Sequence, residues 1–120
     1  MKGEQHLTKA AQFARVFSKG GSLVNHLVVL KTLPNGLALS RYGLTVGRRL
    51  GGAVVRNRVK RLLREIMRPT HLRPGRDIVL IARPPAAVAS YATLEKAVKD
   101  VLGRAQLLMD RYEEACLSAN

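Results

Sequence analysis

Between Gln5 and Arg64 the chain has no aspartate and no glutamate, although twelve lysines and arginines fall in the same stretch. A metal-dependent nuclease centre needs converging carboxylates, so that half of the chain cannot supply one. Histidine is as sparse: His6, His26 and His71 lie in separate turn-like or terminal segments, with no Asp, Glu or Cys at ligand spacing. The glycine pairs lack the G-x-x-x-x-G-K-[ST] pattern of a phosphate-cradling loop. A lone cysteine, Cys116, excludes an intrachain disulfide. No apolar run approaches the roughly 20 residues that span a bilayer, and the first nine residues carry no signal-like apolar segment. The expectation is a cytoplasmic protein with no catalytic residues of its own, no membrane and no small-molecule substrate.

What is present is positive charge on a folded background. The 120 residues are 47% apolar, enough for one domain over 1–120 with a modest core, its tail at about 112–120 expected to fray. The formal charge is +13, and it is uneven. From Pro84 onward Lys96, Lys99, Arg104 and Arg111 are outnumbered by Glu95, Asp100, Asp110, Glu113 and Glu114. A basic block of this density repels itself unless a polyanion neutralises it, and counterion release then drives binding. The polyanion should meet the first half and the centre of the chain.

The centre is the most informative segment. Wound as a helix, residues 52–68 place Val55, Val59, Leu62, Leu63 and Ile66 on one stripe. Asn57, Lys60, Arg61, Arg64 and Arg68 take the other side, with Arg56 and Arg58 at the borders and Glu65 the only acid. Gly51-Gly52 allow a tight start, and Pro69 ends the helix. Guanidinium groups bind phosphate through paired N–H donors, and asparagine bridges phosphate, sugar or base edge. The ridge therefore reads as a nucleic-acid face; a solubilising face or an anionic membrane are the plainer readings of the same charge.

Around it, a first helix is expected over residues 9–17 with Thr8 as cap, closed by Gly20-Gly21. A strand is expected over 23–33, a hairpin at Pro34-Asn35-Gly36, and a second strand over 37–46. Residues 77–82 form a continuous apolar run that suits a buried strand. The last helix should begin near Thr93. The order α-β-β-β-α-β-α describes an α/β sandwich, a small mixed sheet packed with helices. Phe13, Phe17 and Tyr42 all lie in the basic half. Bases of single-stranded nucleic acid stack on such rings, but two phenylalanines at i, i+4 equally well pack a helix onto a sheet.

Residues 44–64, Leu-Thr-Val-Gly-Arg-Arg-Leu-Gly-Gly-Ala-Val-Val-Arg-Asn-Arg-Val-Lys-Arg-Leu-Leu-Arg, resemble the signature of the bacterial ribonuclease P protein subunit. Leu7 with residues 13–17 is similar to that family's N-terminal segment, and residues 77–84 to its last strand. The resemblance implies a left-handed crossover between parallel strands. It also implies a partner, a catalytic RNA that uses magnesium ions to remove the 5′ leader of precursor tRNA while the protein holds the leader and assists the RNA. Carried over by position, Phe13, Phe17 and Lys31 line the leader cleft. Arg48, Arg49, Arg56, Asn57, Arg58, Lys60, Arg61 and Arg64, continued by Arg68, form the RNA-facing helix and its approach. Lys31 departs from the family, which often carries an aromatic ring there; a cation contacts leader phosphate but does not stack in the same way. Sequence alone leaves as alternatives a general RNA-binding protein, such as a ribosomal protein or RNA chaperone. An autonomous metal nuclease is disfavoured by the missing carboxylates, and a helix-turn-helix DNA reader by the strands that precede the basic helix.

Overall fold

A computed structural model describes residues 6–109. The expected fraying at 112–120, and Cys116, lie outside the described residues. The elements are α1 (Ala10–Lys19), β1 (Gly21–Val24), β2 (Val28–Pro34), β3 (Arg41–Thr45), α2 (Ala53–Met67), β4 (Arg76–Ala82) and α3 (Tyr91–Arg104). Short 3₁₀ turns at Arg48–Leu50 and Pro84–Val88 lead into α2 and α3.

The strands form one mixed sheet in the order β1-β2-β4-β3. β4 runs antiparallel to β2 and parallel to β3, so it occupies the middle of the sheet. That position explains its unbroken apolar run: Ile78, Val79 and Leu80 are all fully buried between two neighbours and two faces. α2 is the crossover that joins β3 to its parallel partner β4.

Two expectations about the strands fail. The run 23–33 is two strands, with the hairpin at Asn25-His26-Leu27, where the Asn25 side-chain oxygen accepts the N–H groups of Leu27 and Val28 at 3.0 and 2.9 Å. Pro34-Asn35-Gly36 does turn the chain, with Asn35 Oδ1 accepting from Leu37 N at 2.8 Å, but it closes no hairpin. β4 inserts between the strands on either side of it, so the second strand shrinks to β3 and pairs elsewhere. Helix starts also differ. α1 begins after Lys9, and the Gln12 side chain reaches back to accept from Thr8 N and Lys9 N. α3 begins at Tyr91, with Ser90 accepting from Thr93 N at 3.2 Å, because the hydroxyl three residues earlier is the better placed cap.

Cross-strand register sorts the side chains into two faces. Val28, Leu30, Tyr42, Leu44, Ile78, Leu80 and Ala82 share one face. This face meets α2 through Val59, Leu62, Leu63, Ile66 and Met67, and α3 through Leu94, Val98, Val101 and Leu102, forming the main core. The other face carries Val29, Lys31, Leu33, Gly43, Thr45, Asp77, Val79 and Ile81. Of the helices, only α1 packs on it, and Leu7, Val16 and Val79 are buried beneath.

Candidate nucleic-acid interface

α1 crosses its face of the sheet over the row Gly43–Val79–Lys31–Ser22, one residue from each strand. Phe13 fits where Gly43 has no side chain: a Cβ there would stand 2.4 Å from the tip of the ring. The ring is half-buried against the small cluster of Leu7, Val16 and Val79. Phe17, one turn later, stays 39% exposed. The next row, Thr45–Ile81–Val29–Val24, is only partly covered, and Val24 is 49% exposed. Lys31 Nζ donates to Ser22 Oγ at 2.8 Å across the β1–β2 pair, which holds its ammonium over this surface. The result is a shallow apolar strip beside α1 with one exposed ring and one tethered cation. An extended, unpaired strand can lie on such a floor and stack on the ring.

The second surface is on α2. Asn57, Arg61, Arg64 and Arg68 form an exposed line along the helix, with Lys60 half-exposed beside it. Among the described residues the line has one ion pair, Arg61 to Glu65 at 3.9 Å, too long and exposed to hold the guanidinium. The opening turn of α2 has no acidic residue and no side-chain cap, so its N–H dipoles add to the positive end of the ridge. Gly51, at φ +137°, bends the chain between the 3₁₀ turn and the helix in a conformation that a side chain would strain, leaving Arg48 and Arg49 exposed.

The family model for ribonuclease P matches residues 1–106 of this chain. The chain belongs to the ribonuclease P protein family. A ribonuclease P protein component from Dehalococcoides mccartyi strain CBDB1 is 49% identical over 114 residues, covering 95% of each chain. One from Caldanaerobacter subterraneus is 41% identical over 110 residues, 90% of this chain and 91% of the relative. Among solved structures, a Staphylococcus aureus RNase P protein mutant superposes with a TM-score of 0.84 at 32% identity, covering 90% of this chain and 93% of that one. The Thermotoga maritima RNase P protein superposes at 0.76, with 32% identity and coverage of 82% and 96%. The chain is thus a component of a tRNA-processing ribonucleoprotein, and the reading as a general RNA-binding protein is not favoured.

Against this ribonuclease P framework the twelve residues singled out from sequence divide into groups. Phe13 and Lys31 lie on the α1 face of the sheet, and Phe17 is exposed on α1 one turn after Phe13. Tyr42, grouped with the phenylalanines by its place in the basic half, does not join them. It pairs with Ile78 on the opposite face, 7% exposed, because side chains alternate along β3. On α2, Arg56 is half-buried, its Nε without a hydrogen-bond partner among the described residues. Arg58 stands at the other border of the ridge. Its guanidinium donates to the carbonyls of Ala89 at 2.9 Å and Ala87 at 3.3 Å, tying α2 to the turn before α3. Arg58→Met is expected to cost about 1.5 kcal/mol of unfolding free energy, since it strands two acceptors and removes charged donors. It should leave the salt dependence of RNA binding unchanged. Chemical denaturation and a salt series check both halves.

Sequence reasoning overlooked Val24, Val29, Thr45 and Ile81, the open floor beside α1. Period-two alternation in the run 28–34 separates Val29 and Lys31 from Val28 and Leu30. Joining them to Ile81 and Thr45 requires the register. No group of three or more His, Cys, Asp or Glu residues able to hold a metal ion occurs among the described residues.

Proposed function

We propose that the apolar strip beside α1 receives the single-stranded 5′ leader of precursor tRNA and that the α2 ridge holds the catalytic RNA near the cleavage site. Phe17 stacks a leader base, Lys31 contacts leader phosphate, and Phe13 shapes the floor with Val24, Val29 and Ile81. Arg48, Arg49, Asn57, Lys60, Arg61, Arg64 and Arg68, with Arg56 at the border, meet RNA phosphate and sugar; Arg58 braces the helix that carries them. Magnesium ions held by the RNA supply the hydrolytic chemistry, in the cytoplasm where tRNA precursors are made. The observation that carries this reading is the pairing, on one small fold, of an open apolar strip bearing an exposed ring with a nearly acid-free cationic helix face. A strand and a folded RNA can be held at once.

Precursor tRNA and a bacterial ribonuclease P RNA at low magnesium test the reading. The full chain is expected to raise the cleavage rate many-fold and, without the RNA, to release no leader. Specific leader release by the purified protein alone would overturn the division of labour. No stimulation would overturn the reading as a whole.

Salt dependence tests the ridge. About five phosphate contacts, from Arg48, Arg49, Arg61, Arg64 and Arg68, should give a slope of log K on log salt near −3.5 to −4.5. Arg61→Ala should flatten it by roughly one unit and leave the melting temperature nearly unchanged, since its side chain is 64% exposed. An unaltered slope with a large loss of stability would assign Arg61 a structural role instead.

A further inference from the structure

At the C-terminal end of α2 the ridge runs into a cavity of about 540 Å³ that the leader strip does not reach. Its walls come from the chain leading into β3, the last turn of α2 and the chain on either side of His71, with His6 and Met109 adding one residue each. Arg64 and Arg68 line it, as do His6, Tyr42 and Met67. His6 forms a parallel β-bridge with Tyr42 at the edge of the sheet, and their rings lie 4.7 Å apart, tilted by 54°. The phenol is mostly buried, and burial pushes its pKa up against the pull of the Arg68 and Arg64 charges, so both guanidiniums act on the same space.

The polar groups of this cavity are unequal. Ser40 Oγ donates to Arg73 O at 2.5 Å and accepts from Arg76 N at 3.0 Å, and Thr70 Oγ1 donates to Ile66 O at 2.7 Å. Those hydroxyls serve the fold. Arg64 and Arg68 belong to no ion pair among the described residues and stand exposed at the ridge end. The volume suits a molecule of small-ligand size. A bare anion would use the arginines and leave the ring pair without purpose, whereas an apolar ligand would leave the arginines without one. A nucleotide uses both. Bases paired in a duplex have no free face to offer, so the nucleotide comes from an unpaired position, as is usual in RNA recognition.

We propose that this cavity takes one unpaired nucleotide of the RNA lying along α2. Its base rests against the His6–Tyr42 ring pair and its phosphate on Arg64 and Arg68. The proposal rests on the ridge being an RNA face and adds an anchoring point at its end. Two RNAs can donate the nucleotide, the catalytic RNA or precursor tRNA, and the chemistry is the same for both.

The first measurement is nuclear magnetic resonance of the full chain at constant ionic strength, with adenosine 5′-monophosphate and inorganic phosphate as probes. Adenosine monophosphate is expected to shift the ring signals of His6 and Tyr42 together with the side-chain signals of Arg64 and Arg68. Phosphate should move the arginine signals alone. Ring signals that ignore the nucleotide, or that respond equally to phosphate, would overturn the proposal. The second measurement is titration of His6→Ala and His6→Phe against the catalytic RNA alone, and against precursor tRNA in the presence of that RNA. His6→Ala should weaken one of the two by about 5- to 20-fold with the salt slope unaltered, and His6→Phe should restore most of the loss. The responding arm names the donor. If His6→Ala binds both RNAs as the parent does while Arg61→Ala weakens them, the cavity proposal fails and the ridge stands. If Arg61→Ala is also without effect, the RNA face itself is refuted.

Discussion

Replacing Asp77 by alanine is expected to lower the unfolding free energy by about 3 kcal/mol, the low end for breaking a buried pair because Arg41 is partly open to water. Asp77 sits on the α1 face of β4, its side chain 4% exposed against 22% for Arg41. Arg41 Nε and Nη2 donate to its two oxygens at 2.8 and 2.7 Å, and Asn35 Nδ2 adds a third bond at 2.9 Å. The group adds side-chain bonds among β3, β4 and the turn after β2, at the end of the sheet where Arg41 and Asp77 are register partners. Burial pushes the carboxyl up. The bonds from Arg41 and Asn35 and the charges of Arg41 and Arg15 outweigh it, so the pKa lies below the ordinary carboxylate value. A depressed folded pKa stabilises above the unfolded value, near 3.9, and that stabilisation disappears as pH falls through the folded value. Urea titrations from pH 7 down to pH 2 should therefore show the parent losing its advantage over Asp77→Asn below about pH 4. A constant gap across that range would remove the ion pair from the account of acid stability.

Phe17→Leu is expected to cost about 1–3 kcal/mol of precursor tRNA affinity in the reconstituted holoenzyme, with mature tRNA binding almost unaffected. Leucine keeps apolar contact and removes the stacking face, and mature tRNA has no leader to stack. Phe13→Leu should behave differently. Its ring fills the space over Gly43, so its loss is expected to appear first in the melting temperature. Paired titrations with both tRNAs, alongside thermal melts, separate these outcomes. Equal weakening toward precursor and product by Phe17→Leu would show that the leader is held elsewhere. A collapse of its melting temperature would make the ring part of the core.

The two surfaces differ in how far the sequence discloses them. The ridge is a local property: 3.6 residues per turn places Asn57, Arg61, Arg64 and Arg68 in line whatever surrounds the helix. Its apolar stripe is equally local, and Val59, Leu62, Leu63 and Ile66 are buried as the spacing predicts. Arg58 lies on the border by the same arithmetic, but its carbonyl partners come from a turn some thirty residues on, which no helical period reveals.

The sequence by itself determined the charge balance, the basic amphipathic helix, the buried fourth strand and the element order, because each is written in spacing over a few neighbouring residues. Only the tertiary structure decided which strands pair. A local turn signal at Pro34-Asn35-Gly36 suggests a hairpin, but burying the apolar faces of β4 between β2 and β3 overrides it. From that pairing follow the separation of Tyr42 from Phe13 and Phe17, the floor of Val24, Val29, Thr45 and Ile81, and the Arg41–Asp77 bond. All of these join residues far apart in the chain, and long-range register is set by the packing of whole faces rather than by any short segment.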